Sequence, residues 1–462
     1  MGWFSSWTHA RRAHARSHDR AARACTGETG AAALVARESE TSCANSAERN
    51  QTSTTTTTTT TTRALQQCHE QHVLRPWYRD RAVESARSID AVIVGAGPAG
   101  LATAACLKRR GLSFELLERA DQVGSSWRNH YARLHLHTAR NHSALPFTPF
   151  PKHLPTYPSR QDVVDYLESY AREHGLEPRF DTDVQRVARD GERWIVLATN
   201  GAWRAKHVVL ATGYNRVPRV PVWPDRELFR GRVLHSRDYR TGKDFTKQRV
   251  LVVGAGNSGA EIALDLCEQG AAVSLCIRGP INVIPRDLLG IPAQAIGIAT
   301  GWQPDAITDF IMRMASRLVF GDLSKWGIER KKKGPLRQIL DEQSIPLIDV
   351  GTIRRIKKGE IAVVPGIERF TERGVLCTDG RAHKLDVVVL ATGYTTGLAT
   401  ILAGLDDVLD AKGYPRAAPP EPSSPGLHFV GFANVPTGLL RQIAIQARAV
   451  ADALGPPQLV VR

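Results

Sequence analysis

Ile89-Asp90-Ala91-Val92-Ile93-Val94-Gly95-Ala96-Gly97-Pro98-Ala99-Gly100 is the stretch that decides the fold. A short apolar run leads into glycines spaced Gly-x-Gly-x-x-Gly, and Leu101 to Arg110 follows with helical composition up to Gly111. The apolar run reads as a buried parallel strand. Gly95 permits a tight turn, Gly97 lets the backbone approach a pyrophosphate, and Gly100 lets the helix pack on the strand. Pro98 and Ala99 then open the helix, whose free N–H groups and positive dipole end face the phosphates. Phe114 to Glu118 reads as the next strand, ending in a carboxylate 18 residues after Gly100. An acid at that place accepts hydrogen bonds from a ribose diol.

The pattern returns 159 positions later as Gly254-Ala255-Gly256-Asn257-Ser258-Gly259. Arg249 to Val253 is the strand ahead of it, Glu261 to Glu268 the helix behind it, and Ala271 to Ile277 the following strand. That last strand ends in Arg278, 19 residues after Gly259, where the first unit has Glu118. A guanidinium suits a 2′-phosphate and not an unmodified diol. The first site therefore reads as FAD and the second as NADPH in preference to NADH, with Asn257 and Ser258 on the coenzyme loop. Two dinucleotides in one chain imply a redox relay.

Composition narrows the remaining classes. The chain has 462 residues, 42% hydrophobic and 23% charged, which are ordinary globular values. The formal charge of +15 raises the question of nucleic acid. No helix-turn-helix signature, zinc-finger spacing or concentrated basic arm accompanies it in the folded part. The runs Arg330 to Lys333, Arg354-Arg355 and Lys357-Lys358 read as solvated faces that favour an anionic coenzyme or substrate. The seven cysteines (25, 43, 68, 106, 267, 276, 377) make no CxxC pair and no metal-ligand cluster. That argues against a disulfide reductase, which needs a redox-active pair. No metal site and no transmembrane segment is expected.

Five regions follow along the chain. Residues 1–86 form an extension rich in Ala, Arg, Ser and Thr, with nine consecutive threonines at 54–62. It reads as an organellar transit peptide, a disordered extension or sequence upstream of the true start. Accordingly the location is cytoplasmic, or organellar if residues 1–85 act as an address. Two echoed runs, Val208 to Tyr214 and Val387 to Tyr394, each end in Ala-Thr-Gly-Tyr and bracket the second glycine unit. The expected architecture is α/β, with two Rossmann-like dinucleotide-binding domains. The NADPH domain (223–375) is inserted into an FAD domain made of 87–222 and 376–455, and 456–462 is a tail. Ser159 and Asp162 predict a capping box opening a helix through Arg172.

Between the glycine units runs Phe229-x-Gly231-x-x-x-His235-x-x-x-Tyr239. With that motif in place, residues 88 to 455 resemble the flavin-containing monooxygenases, which carry it as an identifying signature. Pro155 to Pro158, Gly334 to Leu336, Pro346 to Gly351 and Val363 to Ile367 are similar to the YUCCA-type, indole-3-pyruvate branch. His137-Thr138-Ala139-Arg140-Asn141 departs from that branch's usual substrate-side stretch, and Ala260 follows Gly259 where plant enzymes of that branch usually carry a bulkier residue.

The resemblance implies an oxidoreductase in which NADPH reduces FAD and O2 gives a C4a-(hydro)peroxyflavin. With indole-3-pyruvate or a related keto acid, the product would be indole-3-acetate, the auxin-type reaction. The alternatives are N- or S-oxygenation of small nucleophiles, or an NADPH oxidase that releases hydrogen peroxide. Partners would be a small-molecule substrate and O2, with no nucleic acid; the oligomeric state stays open. The resemblance also places Trp127 and Gly431 beside the flavin, and leaves Asn141, Thr138 and Trp127 as candidates for the oxygen chemistry. No acid–base dyad stands out, since the cofactor carries the difficult step. His235 reads as structural at the interdomain linker, and Arg286 as either a phosphate contact or a surface charge.

Overall fold

The structure, a computed structural model, describes residues 86–300, 303–402 and 404–455. The expected extension, apart from residue 86, and the tail lie outside them. Ala91, Val92 and Ile93 in β1 (Arg87–Val94) have no exposed surface, which is why an apolar run of this length forms a central strand. The chain turns through the glycines into α1 (Pro98–Lys108), returns as β2 (Phe114–Leu117), and continues through α2 (Arg160–Glu173). Ser159 accepts from the Asp162 backbone N–H while the Asp162 carboxylate accepts from the Ser159 N–H, so the expected capping box starts α2. β3 (Val184–Asp190), β4 (Arg193–Ala198) and β5 (Gly201–Leu210) complete the first half. The sheet order is β2-β1-β5-β4-β3. β1 runs parallel to both neighbours, and β4 is antiparallel to its own.

Beyond residue 210 the chain crosses to a second sheet. Its elements are β6 (Arg232–His235), β7 (Arg249–Val253), α3 (Asn257–Glu268) and β8 (Ala272–Cys276). Next come α4 (Ala293–Ala299), α5 (Asp305–Phe320), α6 (Pro335–Glu342), β9 (Ile361–Val364) and β10 (Val387–Leu390). The order is β9-β8-β7-β10-β6, parallel throughout. The sequence expectation ended this unit at residue 375, and β10 moves that limit. Val387–Leu390 pairs with both β7 and β6, so the second sheet takes one of its interior strands from beyond 375. Its likeness to the end of β5 is a likeness of place within each unit, since both strands lead into an Ala-Thr-Gly turn.

The return to the first sheet comes after β10. β11 (Leu427–Phe429) joins β5 in parallel beside Val208–Leu210, and α7 (Leu439–Leu454) packs on α1. The outgoing and returning strands also meet each other. Val217 and Pro218 pair antiparallel with Thr395 and Tyr394, and the Arg219 N–H donates to the Gly393 carbonyl at 2.9 Å. The crossing is a two-stranded ribbon.

Candidate active site

Both glycine turns are built alike, and each glycine has its own reason. Gly95 and Gly254 have φ of +105° and +110°, a region that disfavours any side chain. A Cβ on either would also press on the backbone of the residue after the facing strand, Ala211 or Ala391. A Cβ on Gly100 or Gly259 would fall on the carbonyl oxygen of Gly95 or Gly254, so helix and turn touch directly. Gly97 and Gly256 have nothing within 4 Å of the Cβ position. The middle glycine of each turn faces open space, and no side chain caps α1 or α3. Their first N–H groups are thus available to a pyrophosphate.

The two units differ where a ribose would sit. Glu118 is buried, its Oε2 accepting from the Ala96 N–H at 2.6 Å and its Oε1 from the Ala120 N–H at 3.0 Å. A carboxylate accepts about four hydrogen bonds, so capacity remains for a diol even with Ser125 at 3.4 Å. Arg278 lies just past β8, exposed, and makes no hydrogen bond or ion pair among the described residues. These residues fit a dinucleotide with a free ribose in the first cradle and one with an added phosphate in the second.

The other expected residues fall into three groups. Gly431 meets the first cradle: a Cβ there would stand 3.2 Å from the Ala99 Cβ, and its N–H donates to Gln446 at 3.0 Å. Trp127 sits on the short helix Ser125–Arg128 and packs against both large cores. Thr138 is half-buried, bonded to Ser143 at 2.8 Å, with its methyl toward Gly438. Asn141 stands apart, exposed on the turn Arg140–His142 and tied to none of the other candidates. Asn257 does open α3, but its side-chain oxygen accepts from the Ile348 N–H at 2.8 Å. Only its amide N–H groups remain for a ligand. Arg286 stacks on the Tyr157 ring at 4.0 Å and approaches Asp287, which also accepts from the Tyr157 hydroxyl. It joins the two halves of the molecule.

The signature motif proves architectural. Phe229 packs on Phe370, and Gly231 leaves room for the Phe229 ring and the Asp386 carbonyl. His235 Nδ1 accepts from the Arg237 N–H at 3.1 Å, Nε2 meets the Gly393 carbonyl at 3.2 Å, and the ring stands edge-on to Tyr394. Burial holds His235 below its ordinary pKa, so it stays neutral and clamps the returning strand. The Tyr239 hydroxyl donates to Asp265 at 2.6 Å, and its ring stacks on Phe245.

Sequence reasoning missed the polar contacts that join the halves at the cleft. Glu261, on the second turn of α3, is buried and accepts from the Tyr131 hydroxyl at 3.0 Å and from His137 Nε2 at 2.7 Å. Burial and the adjoining carboxylate push the Tyr131 hydroxyl well above its ordinary pKa, so it remains a donor. His137 Nδ1 is buried with no partner. Gln294, also buried, accepts from the Ala139 N–H at 2.8 Å and donates to the Thr437 carbonyl at 2.6 Å. Gln343 holds both the backbone N–H and the side-chain amide of Asn434. The loop between β11 and α7 is thereby pinned at two points. A lone glutamate two residues after Gly259 carries no sign of partners more than a hundred positions earlier.

Comparison with known proteins defines the class. The sequence profile of the family described as pyridine nucleotide-disulphide oxidoreductases matches residues 92–287. The fold resembles a flavin-containing monooxygenase from Stenotrophomonas maltophilia, with TM-score 0.60, 25% identity, and coverage of 80% of this chain and 98% of that one. It also resembles the fold of an oxidized steroid monooxygenase bound to NADP (TM-score 0.63, 21% identity, 79% and 85% covered). The indole-3-pyruvate monooxygenase YUCCA1 of Oryza sativa subsp. japonica is 40% identical over 358 residues, spanning 74% of this chain and 86% of the relative. YUCCA6 of Arabidopsis thaliana is 39% identical over 353 residues, spanning 74% and 85%. The chain belongs to the flavin-containing monooxygenases, in the branch of the YUCCA indole-3-pyruvate monooxygenases. It is an oxidoreductase that works with FAD and NADPH. The cysteines among the described residues are unpaired, and burial pushes the Cys106 and Cys276 thiols up to about 11.

Proposed function

We propose that this enzyme converts indole-3-pyruvate, O2, NADPH and a proton to indole-3-acetate, CO2, NADP+ and water. The observation that carries the reading is the pair of like-built open cradles, one in each half, in a chain of this branch whose halves are joined by Glu261 through Tyr131 and His137. FAD reduced by NADPH supplies the oxygen activation, with one oxygen atom entering the keto acid and the other leaving as water. The protein's own part is to bind, orient and exclude. Gly95, Gly97, Pro98, Ala99, Gly100, Glu118, Trp127 and Gly431 hold the flavin dinucleotide. Gly254, Gly256, Asn257, Ser258, Gly259 and Arg278 hold the coenzyme, with Arg278 selecting its 2′-phosphate.

Glu261 fixes the His137 ring by accepting from its Nε2–H, which leaves Nδ1 as a buried ring nitrogen without a partner. Gln294 and Gln343 keep the 433–438 loop closed against water, the condition for oxygen to reach product and not peroxide. We place the enzyme in the cytoplasm; a fluorescent fusion of residues 1–85 that enters an organelle would reverse that.

The test is to supply FAD-loaded enzyme with NADPH, O2 and indole-3-pyruvate and to quantify indole-3-acetate against hydrogen peroxide. Acetate formed in step with NADPH oxidation supports the reading. Peroxide alone refutes the substrate while leaving the two-cradle relay in place.

A further inference from the structure

The strangest surface on the molecule is α5, whose apolar side faces out. Ile307, Phe310, Ile311, Met314 and Leu318 recur at i, i+3, i+4, i+7 and i+11, which makes one stripe along a helix. Their exposures are 47%, 64%, 41%, 38% and 81%. The opposite side does the packing, through Asp309, Ser316 and Phe320. Asp309 accepts from the Leu336 N–H at 2.7 Å at the start of α6, and the Ser316 hydroxyl donates to the Val283 carbonyl at 2.6 Å. The stripe therefore contributes nothing to the core, and leaving such area in water is unfavourable without an occupant.

Charge indicates which occupant. Arg313 and Arg317 lie along one edge of the stripe, and the Arg313 guanidinium donates to the carbonyl of Lys332, which brings the 330–333 run alongside. Lys331 and Lys333 are paired with Glu342 and Asp341. Arg313, Arg317 and Lys332 make no ion pair among the described residues. The acids of α5 are occupied elsewhere, Asp309 as described and Asp305 with Arg337 at 3.8 Å. A second copy docking here through a twofold axis would set the same unpaired cations against themselves. An apolar stripe with unpaired cations along one edge suits the headgroup boundary of an anionic bilayer. No helix among the described residues is long and apolar enough to cross one.

We propose that α5 docks this enzyme on anionic lipid. The Ile307 to Leu318 stripe lies among the acyl chains, and Arg313, Arg317 and Lys332 lie among the phosphates.

The experiment sediments the full-length, FAD-loaded protein with vesicles of phosphatidylcholine alone, and of about three parts phosphatidylcholine to one part phosphatidylserine. Binding to the mixed vesicles, weaker on the neutral ones and weaker at raised salt, is expected. Phe310→Ser with Leu318→Ser should weaken it roughly ten-fold or more. Arg313→Gln with Arg317→Gln should weaken it roughly ten-fold. All four side chains are exposed, so flavin absorbance and Tm serve as controls for folding. Absence of binding to the mixed vesicles overturns the proposal. So does binding that survives both double variants, since it then belongs to another basic segment such as residues 1–35. A dimer in sedimentation velocity that Leu318→Ser dissociates, with no vesicle binding, gives the face to a second copy and equally overturns it.

Discussion

Replacing Arg278 by alanine should separate the two nicotinamide coenzymes. The guanidinium is exposed and has no hydrogen bond or ion pair among the described residues, so its loss should leave stability within about 0.5 kcal/mol. Whatever it contributes is then a contribution to ligand. A charged hydrogen bond is worth about 1.5–3 kcal/mol, and solvent screening at an exposed position favours the lower end. About 1.5–2 kcal/mol corresponds to a ten- to thirty-fold rise in the NADPH dissociation constant, with NADH nearly unmoved. Anaerobic reduction of bound FAD, followed by the loss of its visible absorbance at increasing coenzyme, reads both constants. Salt gives a second handle: wild-type preference for NADPH should shrink as ionic strength rises, and the variant's should not. Equal weakening of both coenzymes would mean Arg278 reads a group they share. No change in either would remove it from the site.

Three other outcomes are expected. Gly256→Ala meets no atom within 4 Å and should keep its Tm while losing NADPH binding; Gly259→Ala puts a methyl on a carbonyl and should cost at least about 3 kcal/mol of stability. Calorimetry beside coenzyme titration checks the pair, and equal stability loss in both would refute the open-cradle argument. Glu261→Leu should raise peroxide release per NADPH several-fold with little change in NADPH affinity, because the His137 ring loses the acceptor that fixes its Nε2–H; a coupling ratio like wild type would sink that role. His428 is held down to about 4 by burial and by His207, below its unfolded value near 6.5. Its contribution is therefore full above about pH 6.5 and lost as pH falls toward 4, about 2 kcal/mol by pH 5. His428→Leu should flatten the acid limb of a Tm–pH curve, and an unchanged limb would put acid lability elsewhere.

What could be read along the chain was local. The strand–turn–helix units, the carboxylate after β2, the arginine after β8 and the Ser159 capping box all depend on near neighbours. His235, read as structural at the interdomain linker, lies at the end of β6, where it touches Gly393 and Tyr394 of the returning chain. The second sheet's far limit was misjudged because Val387–Leu390 has the same apolar run as the end of β5, and composition cannot say which sheet a buried parallel strand joins. The cleft contacts were invisible for a related reason. Tyr131 and Glu261 are 130 positions apart, and Gln294 reaches the loops of Ala139 and Thr437, so only folding brings them together. Asn141, a candidate through the family resemblance, is exposed, whereas His137, four positions earlier, turns inward.

The interrupted first sheet has a consequence for how the chain is made. During synthesis β1, β2 and β5 emerge early, but β11, which flanks β5, and α7, which covers α1, arrive only after the whole second sheet has been translated. The inserted unit is contiguous and can close on itself while the ribosome is still working. The flavin pocket is the last part finished, and until then the apolar side of α1 waits uncovered. A nascent chain stalled before Leu427 would thus carry a complete coenzyme fold and an aggregation-prone stump of the other.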